Sequence, residues 1–217
     1  MKHYDNHEIE NKLNEAGYNL ICGTDEAGRG PLAGPVVIAA CIMPNKLEIE
    51  GVTDSKKVSE KNRYILEKEI KEKAISYSII FIDEKKIDEI NILEASRLGM
   101  EQAILDLNIK PDYILTDAMN IKTDIPYEAI IKGDAKSFTI ACASILAKCA
   151  RDRYMDLLDN EYPEYGFKKH KGYPTKAHME ALKTYGVTSV HRASYGPVKN
   201  ELDLKNYYQK KKNKRKE

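Results

Sequence analysis

The chain has 217 residues, of which 42% are hydrophobic and 32% charged, and its formal net charge at pH 7 is +1. This length and composition predict a globular protein of one or two domains and exclude the collagen-like and wholly disordered classes. No apolar stretch approaches the ~18 residues of a membrane span, and the N-terminus lacks the apolar segment of a secretory signal. The four cysteines form no CxxC pair, so we expect reduced thiols and a cytoplasmic location.

The small net charge conceals a basic C-terminal segment. Residues 205–217 contain seven Lys and Arg against one acid, a charge of +6, so residues 1–204 carry −5. Basic tails commonly contact nucleic acid, although charge alone equally allows a solubilising terminus. We therefore divide the chain into an N-terminal extension (1–17), a single domain (18–204) and a basic tail (205–217).

Hydrophobic periodicity and β-branched runs predict alternating elements along the chain. In the first half these are a helix (5–16), two strands (18–24 and 36–43), a helix beginning after Ser59 and ending near residue 74, and a strand (76–82). In the second half they are a helix (91–107), two strands (113–116 and 128–132) and two helices (137–160 and 174–185). This order predicts an α/β protein with a mixed sheet flanked by helices and a helical C-terminal part.

Acidic residues follow several of the predicted strands. Asp25 and Glu26 follow the first strand, Asp117 follows the fourth, and Asp134 comes shortly after the fifth. Ligands of open α/β sheets collect at strand carboxyl ends, and clustered carboxylates without His or Cys suit Mg²⁺ or Mn²⁺ better than Zn²⁺. However, Asp83 also ends an apolar strand, and spacing alone does not favour Asp117 over Asp83. A single acid after a strand is most often a solvated turn residue.

The loop after the first acids is rich in glycine. Gly28 and Gly30 flank Arg29 within DEAGRGPLAG, a pattern that is neither GxGxxG nor a P-loop. Glycine permits close approach of backbone N–H groups to a ligand. The loop is therefore either a tight turn between strands or a backbone clamp for a sugar-phosphate chain.

Two other segments could contact a nucleic acid. Tyr173 precedes Pro174, which favours extended backbone, and a projecting ring can stack on a base or a sugar. A half-buried packing role is the alternative. Ser55, Lys56 and Lys57 form a basic turn that either binds phosphate or is simply solvated.

Taken together, eight segments occur in a specific order and spacing. They are GTDEAGRGPLAGPVV (23–37), DSKK (54–57), NILEAS (91–96), YILTD (113–117), KGD (132–134), ASILAK (143–148), HKGYPT (170–175) and HRASYGPVK (191–199). Over residues 18–200 the chain thereby resembles type 2 ribonuclease H, the bacterial ribonuclease HII family. The first 17 residues are too short for the additional N-terminal domain of type 3 ribonuclease H, and the loop has Arg29 where that type differs.

The resemblance implies a fold and a metal site. The fold is a ribonuclease H-like mixed five-stranded sheet flanked by helices. The acids that bind metal in that family correspond here to Asp25, Glu26, Asp117 and Asp134, and Asp83 is set aside. Two Mg²⁺ or Mn²⁺ ions would bind there together with substrate.

The resemblance also implies a substrate. It predicts an endoribonuclease that cuts RNA in RNA–DNA hybrids and cuts 5′ of single ribonucleotides in duplex DNA, leaving 3′-hydroxyl and 5′-phosphate ends. Gly28, Arg29 and Gly30 would read the ribose 2′-OH, and Tyr173 would stack on the adjoining deoxyribose. The turn 55–57 and the basic tail would bind phosphates. We expect a monomer, and we recognise no clamp-binding box in the lysine-rich end.

Two other classes of function are compatible with the same fold. One is a non-catalytic nucleic-acid-binding protein, against which the presence of all four acids argues. The other is a nuclease for DNA junctions, which would not require a ribonucleotide in its substrate.

Overall fold

Five strands and seven α-helices make up the part of the chain that the computed structural model describes, residues 6–52 and 58–213, with the backbone alone for 205–213. The strands are β1 (Ile21–Ala27), β2 (Val36–Ile42), β3 (Ser76–Ile82), β4 (Tyr113–Asp117) and β5 (Tyr127–Ile130). The helices are α1 (Glu8–Glu15), α2 (Glu60–Lys73), α3 (Glu84–Leu105), α4 (Phe138–Glu161), α5 (Phe167–His170), α6 (Lys176–Tyr185) and α7 (Gly196–Asn213).

The strands form one mixed sheet in the order β3-β2-β1-β4-β5. The β1–β2 and β2–β3 pairs are antiparallel, whereas β1–β4 and β4–β5 are parallel. Strand β2, with the sequence VVIAACI, is buried along its whole length, as expected for an interior strand covered on both faces. The predicted mixed five-stranded sheet is confirmed.

Side chains alternate between the two faces of the sheet and supply two separate cores. The face toward α3 buries a cluster that includes Ile38, Ile42, Ile87 and Met100. The opposite face, toward α2 and α4, buries a cluster that includes Ala39, Cys41, Ile70 and Leu146. The helices therefore cover both faces of the sheet, as the α/β class requires.

Helix α4 lies unusually close to β1, and small residues permit this contact. A side-chain carbon placed on Gly23 would lie 2.1 Å from the backbone carbonyl carbon of Thr139. The run ACASILAKCA on α4 is buried at nearly every position, and its small side chains allow the helix to pack closely on the sheet. This contact places α4 directly behind the acidic end of β1.

Several boundaries differ from the predicted ones. Strand β1 continues to Ala27, so Asp25 and Glu26 lie inside the strand rather than after it. Strand β5 ends at Ile130, because Lys132 adopts a left-handed backbone with φ 59°. Both differences reflect ladder pairing, which a local apolar pattern does not report.

Three helical segments lie outside the predicted ranges. Helix α3 begins at Glu84 rather than near Asn91, and Asn91 itself forms a kink with φ 66°. The short helix α5 and the long helix α7 were not predicted as separate elements. Helix α7 extends to Asn213 and so includes the first part of the segment treated as a basic tail.

The N-terminal helix packs on the main body. Glu10 is buried, and one of its carboxylate oxygens accepts hydrogen bonds from the Ser137 hydroxyl (2.7 Å) and the Thr139 amide (2.9 Å). Glu10 therefore supports the first turn of α4. The four cysteines are all buried free thiols, as expected. Of the helices that the structure describes, none is both long enough and apolar enough to cross a bilayer.

Candidate active site

The parallel pairing of β1 with β4 brings acids from distant parts of the chain together. Thr24 lies opposite Thr116 in the register, so Asp25 and Asp117 follow as neighbours at the carboxyl ends of these two strands. Asp25 is only 5% exposed. Burial raises its pKa well above the usual range, and the charges of Glu26 and Asp117 raise it further. The site is thus a partly buried group of mutually repelling carboxylates.

Glu26 has one oxygen paired and one unpaired. Its Oε1 lies 3.4 Å from Nη1 of Arg29, while its Oε2 is buried and has no hydrogen-bond partner among the residues described. Burial raises the pKa of Glu26, and Arg29 opposes that shift. A buried acceptor without a partner is costly, so this oxygen is available to a ligand.

The turn that precedes α4 brings the backbone next to Asp134 against Asp117. Gly133 donates its amide to Oδ1 of Asp117 at 2.7 Å, and Asp134 follows in a 3₁₀ turn (Gly133–Ala135) and is 7% exposed. A side-chain carbon on Gly133 would lie 3.3 Å from the same Asp117 oxygen and 2.6 Å from Ile140. This contact explains why glycine precedes the acid.

The donors suit a hard divalent cation, although they do not form a finished cage. Within the described ranges there is no group of three or more Asp, Glu, His or Cys side chains already arranged to hold a metal ion. Glu26 is paired with Arg29, and Asp117 accepts from Gly133. The unpaired oxygen of Glu26 and the raised pKa of Asp25 nevertheless fit a bound cation, which would supply the missing positive charge.

A cleft of about 250 Å³ opens beside these acids. The residues that line it come from the end of β1, the glycine-rich loop, α4 and the loop before α6; they are Asp25, Glu26, Ala27, Gly28, Arg29, Gly30, Ser144, Lys148 and Tyr173. The predicted loop and tyrosine thus lie next to the predicted acids. Tyr173 is 44% exposed, and its Cε1 would be 3.4 Å from a side-chain carbon placed on Gly30.

The loop that carries Tyr173 is supported from behind by histidines. Nδ1 of His178 lies 3.0 Å from the carbonyl oxygen of Tyr173, and its Nε2 lies 3.2 Å from Nε2 of His191. Thr188 donates its hydroxyl or its amide to Nδ1 of His191. Burial, with a smaller contribution from His178, lowers the pKa of His191 to about 4. These histidines are therefore structural supports in their neutral form.

One predicted set of residues is not described, and one competing acid has a different role. Ser55, Lys56 and Lys57 fall outside the described residues. Asp83 is the N-cap of α3, where its side chain accepts from the amide of Lys86 at 2.8 Å. The structure therefore gives this competing acid a capping role.

Sequence reasoning missed two cleft residues on α4. Ser144 hydrogen-bonds Asp25 and lowers its pKa, opposing the effect of burial, and Lys148 forms an ion pair with Asp152. Both lie in the segment ASILAK, which contributed to the family resemblance but was given no site residue. The two residues are four apart within a run of small side chains, which places them on one face of the helix. That spacing was the pattern that could have identified them together.

The comparisons with known proteins identify the family that the chain resembles. A family model described as Ribonuclease HII matches residues 22–198. The chain is 54% identical over 198 residues to a ribonuclease HII of Caldicellulosiruptor bescii, covering 91% of this chain and 95% of that protein. It is 52% identical over 195 residues to a ribonuclease HII of Ligilactobacillus salivarius, covering 90% and 76%.

Solved structures give the same result for the fold. The ribonuclease H2 of Pyrococcus horikoshii superimposes with a TM-score of 0.74 at 29% identity, covering 85% of this chain and 97% of that one. The ribonuclease HII of Archaeoglobus fulgidus, solved in complex with PCNA, gives 0.70 at 26% identity, covering 81% and 95%. A ribonuclease HIII solved with Mn²⁺ shares the fold alone, with a TM-score of 0.65 at 15% identity and coverage of 88% and 71%.

Proposed function

The chain belongs to the ribonuclease HII family and is an endoribonuclease that acts on RNA in RNA–DNA hybrids; we propose, more specifically, that it also cuts 5′ of single ribonucleotides in duplex DNA. The products of this reaction are a 3′-hydroxyl and a 5′-phosphate. The proposal assigns the catalytic acids to Asp25, Glu26, Asp117 and Asp134.

One observation carries the proposal. A group of partly buried carboxylates lies at the carboxyl ends of β1 and β4, directly beside a cleft lined by the glycine-rich loop and Tyr173. Acids alone would support any metal-dependent phosphodiesterase. The adjacent loop and tyrosine add groups that can distinguish one sugar from another.

The four acids are proposed to hold two divalent ions, Mg²⁺ or Mn²⁺, when substrate is bound. When bound, such ions lower the pKa of an attacking water and stabilise charge on the leaving 3′ oxygen. For its part, the chain supplies the oxygen ligands and a buried environment in which those charges interact strongly. The unpaired Oε2 of Glu26 would bind the metal, and its Oε1 would keep the contact with Arg29.

Recognition of the sugar is assigned to the loop and the tyrosine. The backbone N–H groups of residues 28–30 donate to the ribose 2′-oxygen, the atom that distinguishes RNA from DNA. Tyr173 stacks on the deoxyribose on the 3′ side of the ribonucleotide, a role for which its exposed ring is suited. The enzyme therefore needs only one 2′-hydroxyl at the cut site.

The remaining assignments concern phosphate binding, oligomeric state, cellular location and partners. We assign Ser55, Lys56, Lys57 and the basic segment 205–217 to phosphate contacts, which would make affinity sensitive to salt. A monomer in the cytoplasm is proposed. The four buried thiols, which are free rather than cross-linked, support only the cytoplasmic location. No clamp partner is proposed.

A paired cleavage assay tests the proposal. The substrates are a DNA duplex containing one ribonucleotide and the same duplex made entirely of DNA, each with Mg²⁺ and with chelator. Cutting only the first duplex, only with Mg²⁺, and on the 5′ side of the ribonucleotide supports the proposal. Cutting of both duplexes would instead indicate a general DNA nuclease, and binding without cutting would indicate a non-catalytic protein.

A further inference from the structure

Two arginine side chains are buried beneath the substrate loop. Arg192 is 0% and Arg151 1% exposed, and in the part of the chain that the structure describes neither forms a salt bridge with a carboxylate. Buried charges are normally paired. Here the guanidinium groups bind backbone carbonyl oxygens instead, which suggests that their role is to shape the backbone.

Arg192 binds the glycine-rich loop at three carbonyl groups. Its Nη2 donates to the carbonyl oxygen of Gly28 at 2.7 Å, and its Nη1 donates to that of Arg29 at 3.0 Å. Its Nε and Nη2 both donate to Gly34, at 2.9 and 2.7 Å. Tyr195 adds a second donor to the Arg29 oxygen at 2.7 Å, and its hydroxyl accepts from Nη1 of Arg192.

These contacts determine where the loop amides point. In a planar trans peptide, the carbonyl of one residue and the N–H of the next point in opposite directions, and the described chain contains no cis peptide bond. Because the carbonyls of Gly28 and Arg29 point toward Arg192, the amides of Arg29 and Gly30 point away from it. Neither amide donates to another described residue, and both residues line the cleft.

We propose that Arg192 is a positioning residue that sets the enzyme's selectivity for ribose without touching the substrate. It holds two adjacent N–H donors ready for the ribose 2′-oxygen, so that a deoxyribose leaves both donors without that partner. The planar fork of arginine suits this task because it reaches several carbonyls at fixed angles, which a lysine ammonium cannot do. The inference rests on the proposed function.

Arg151 provides a matched control. It is equally buried, and it also binds only backbone carbonyls, those of Ala33 (3.2 Å), Pro35 (3.1 Å) and Lys171 (3.0 Å). It does not bind the carbonyls of Gly28 or Arg29. Replacing either arginine with lysine removes a similar set of contacts, but only one replacement frees the two peptides that present the amides.

The test measures binding in the Asp117→Asn background, so that substrate stays intact in Mg²⁺ buffer. The quantity is the ratio of affinities for a duplex with one ribonucleotide and the same all-DNA duplex. Each hydrogen bond to the ribose 2′-oxygen contributes a factor of roughly 2–12. Because Arg192→Lys releases both donors, it should lower the ratio about 4- to 140-fold. Tyr195→Phe should lower it about 2- to 10-fold, because Arg29 loses one of two donors. Arg151→Lys should leave it within about twofold.

Thermal unfolding establishes that each variant is folded. An unchanged ratio in folded Arg192→Lys, or an equal fall in Arg151→Lys, would overturn the inference. If Arg192→Lys does not fold, Tyr195→Phe decides: a lowered ratio supports the inference and an unchanged ratio overturns it. If the Asp117→Asn parent itself binds both duplexes equally, the protein does not select ribose. The proposed function is then contradicted, independently of any result with Arg192.

Discussion

Replacing Asp117 with asparagine should abolish cleavage while the fold becomes slightly more stable. The amide keeps the shape of the side chain, and its oxygen can still accept the hydrogen bond from Gly133. It removes the negative charge that a divalent ion needs. A metal-stabilised transition state is worth several kcal/mol, so the expected loss is about 10³-fold or more in kcat.

The gain in stability follows from the repulsion among the acids. Neighbouring strands lie ~4.8 Å apart, and two carboxylates at that separation repel by up to about 3 kcal/mol at an effective dielectric constant of ~20. The charge of Asp117 contributes to the raised pKa of Asp25, and because Asp117 is only half-buried, solvent screens part of this repulsion. We therefore expect the free energy of unfolding to rise by about 1 kcal/mol in chelator, and Tm by ~2–4 °C.

Asp83→Asn is the matched control for this experiment. Asp83 also follows an apolar strand, but it caps α3 through the Lys86 amide, and asparagine is an equally good N-cap. This variant should cut at the wild-type rate and unfold at the wild-type temperature. Cleavage by Asp117→Asn at a rate near wild type, in any concentration of Mg²⁺ or Mn²⁺, would refute the reasoning. So would a loss of activity in a folded Asp83→Asn protein.

Three further outcomes are expected. Removal of residues 205–217, which carry +6, should weaken substrate binding and reduce the slope of log affinity against log salt concentration. An unchanged slope in salt titrations would mean that the segment only increases solubility. Tyr173→Ala should reduce kcat/KM at a single embedded ribonucleotide by roughly 5- to 150-fold, and by less within a continuous RNA strand. Tyr173→Phe should keep most activity, because the ring does the stacking. Equal losses on both substrates would indicate that Tyr173 only packs against its neighbours. The free energy of unfolding should fall by up to about 3 kcal/mol as the pH drops from ~6.5 toward 4, because the pKa of His191 is about 4 in the folded protein and ~6.5 in the unfolded chain. Urea unfolding of wild type and His191→Gln between pH 7 and 5 checks this. The variant should lose less stability than wild type over that range.

The sequence alone specified the local features of this protein. The apolar, β-branched runs identified all five strands, since burial on both faces requires such runs. The position of glycine in DEAGRG and of proline after Tyr173 indicated where the backbone departs from regular structure, because these residues restrict or extend the allowed dihedral angles directly. The acids could be listed, but Asp83 and Asp117 had equivalent local surroundings, and only the family resemblance separated them.

The tertiary structure decided which of these features meet. The parallel register of β1 and β4 makes Asp25 a neighbour of Asp117, while Asp83 lies at the start of α3 with its carboxylate engaged in a cap. Arg192 contacts the carbonyl of Arg29 from 163 residues away, and no local pattern reports such a contact. The physical reason is that hydrophobic periodicity records burial, which is local and non-directional. Hydrogen bonds and charge repulsion depend on the distance and angle between groups that only the folded chain brings together.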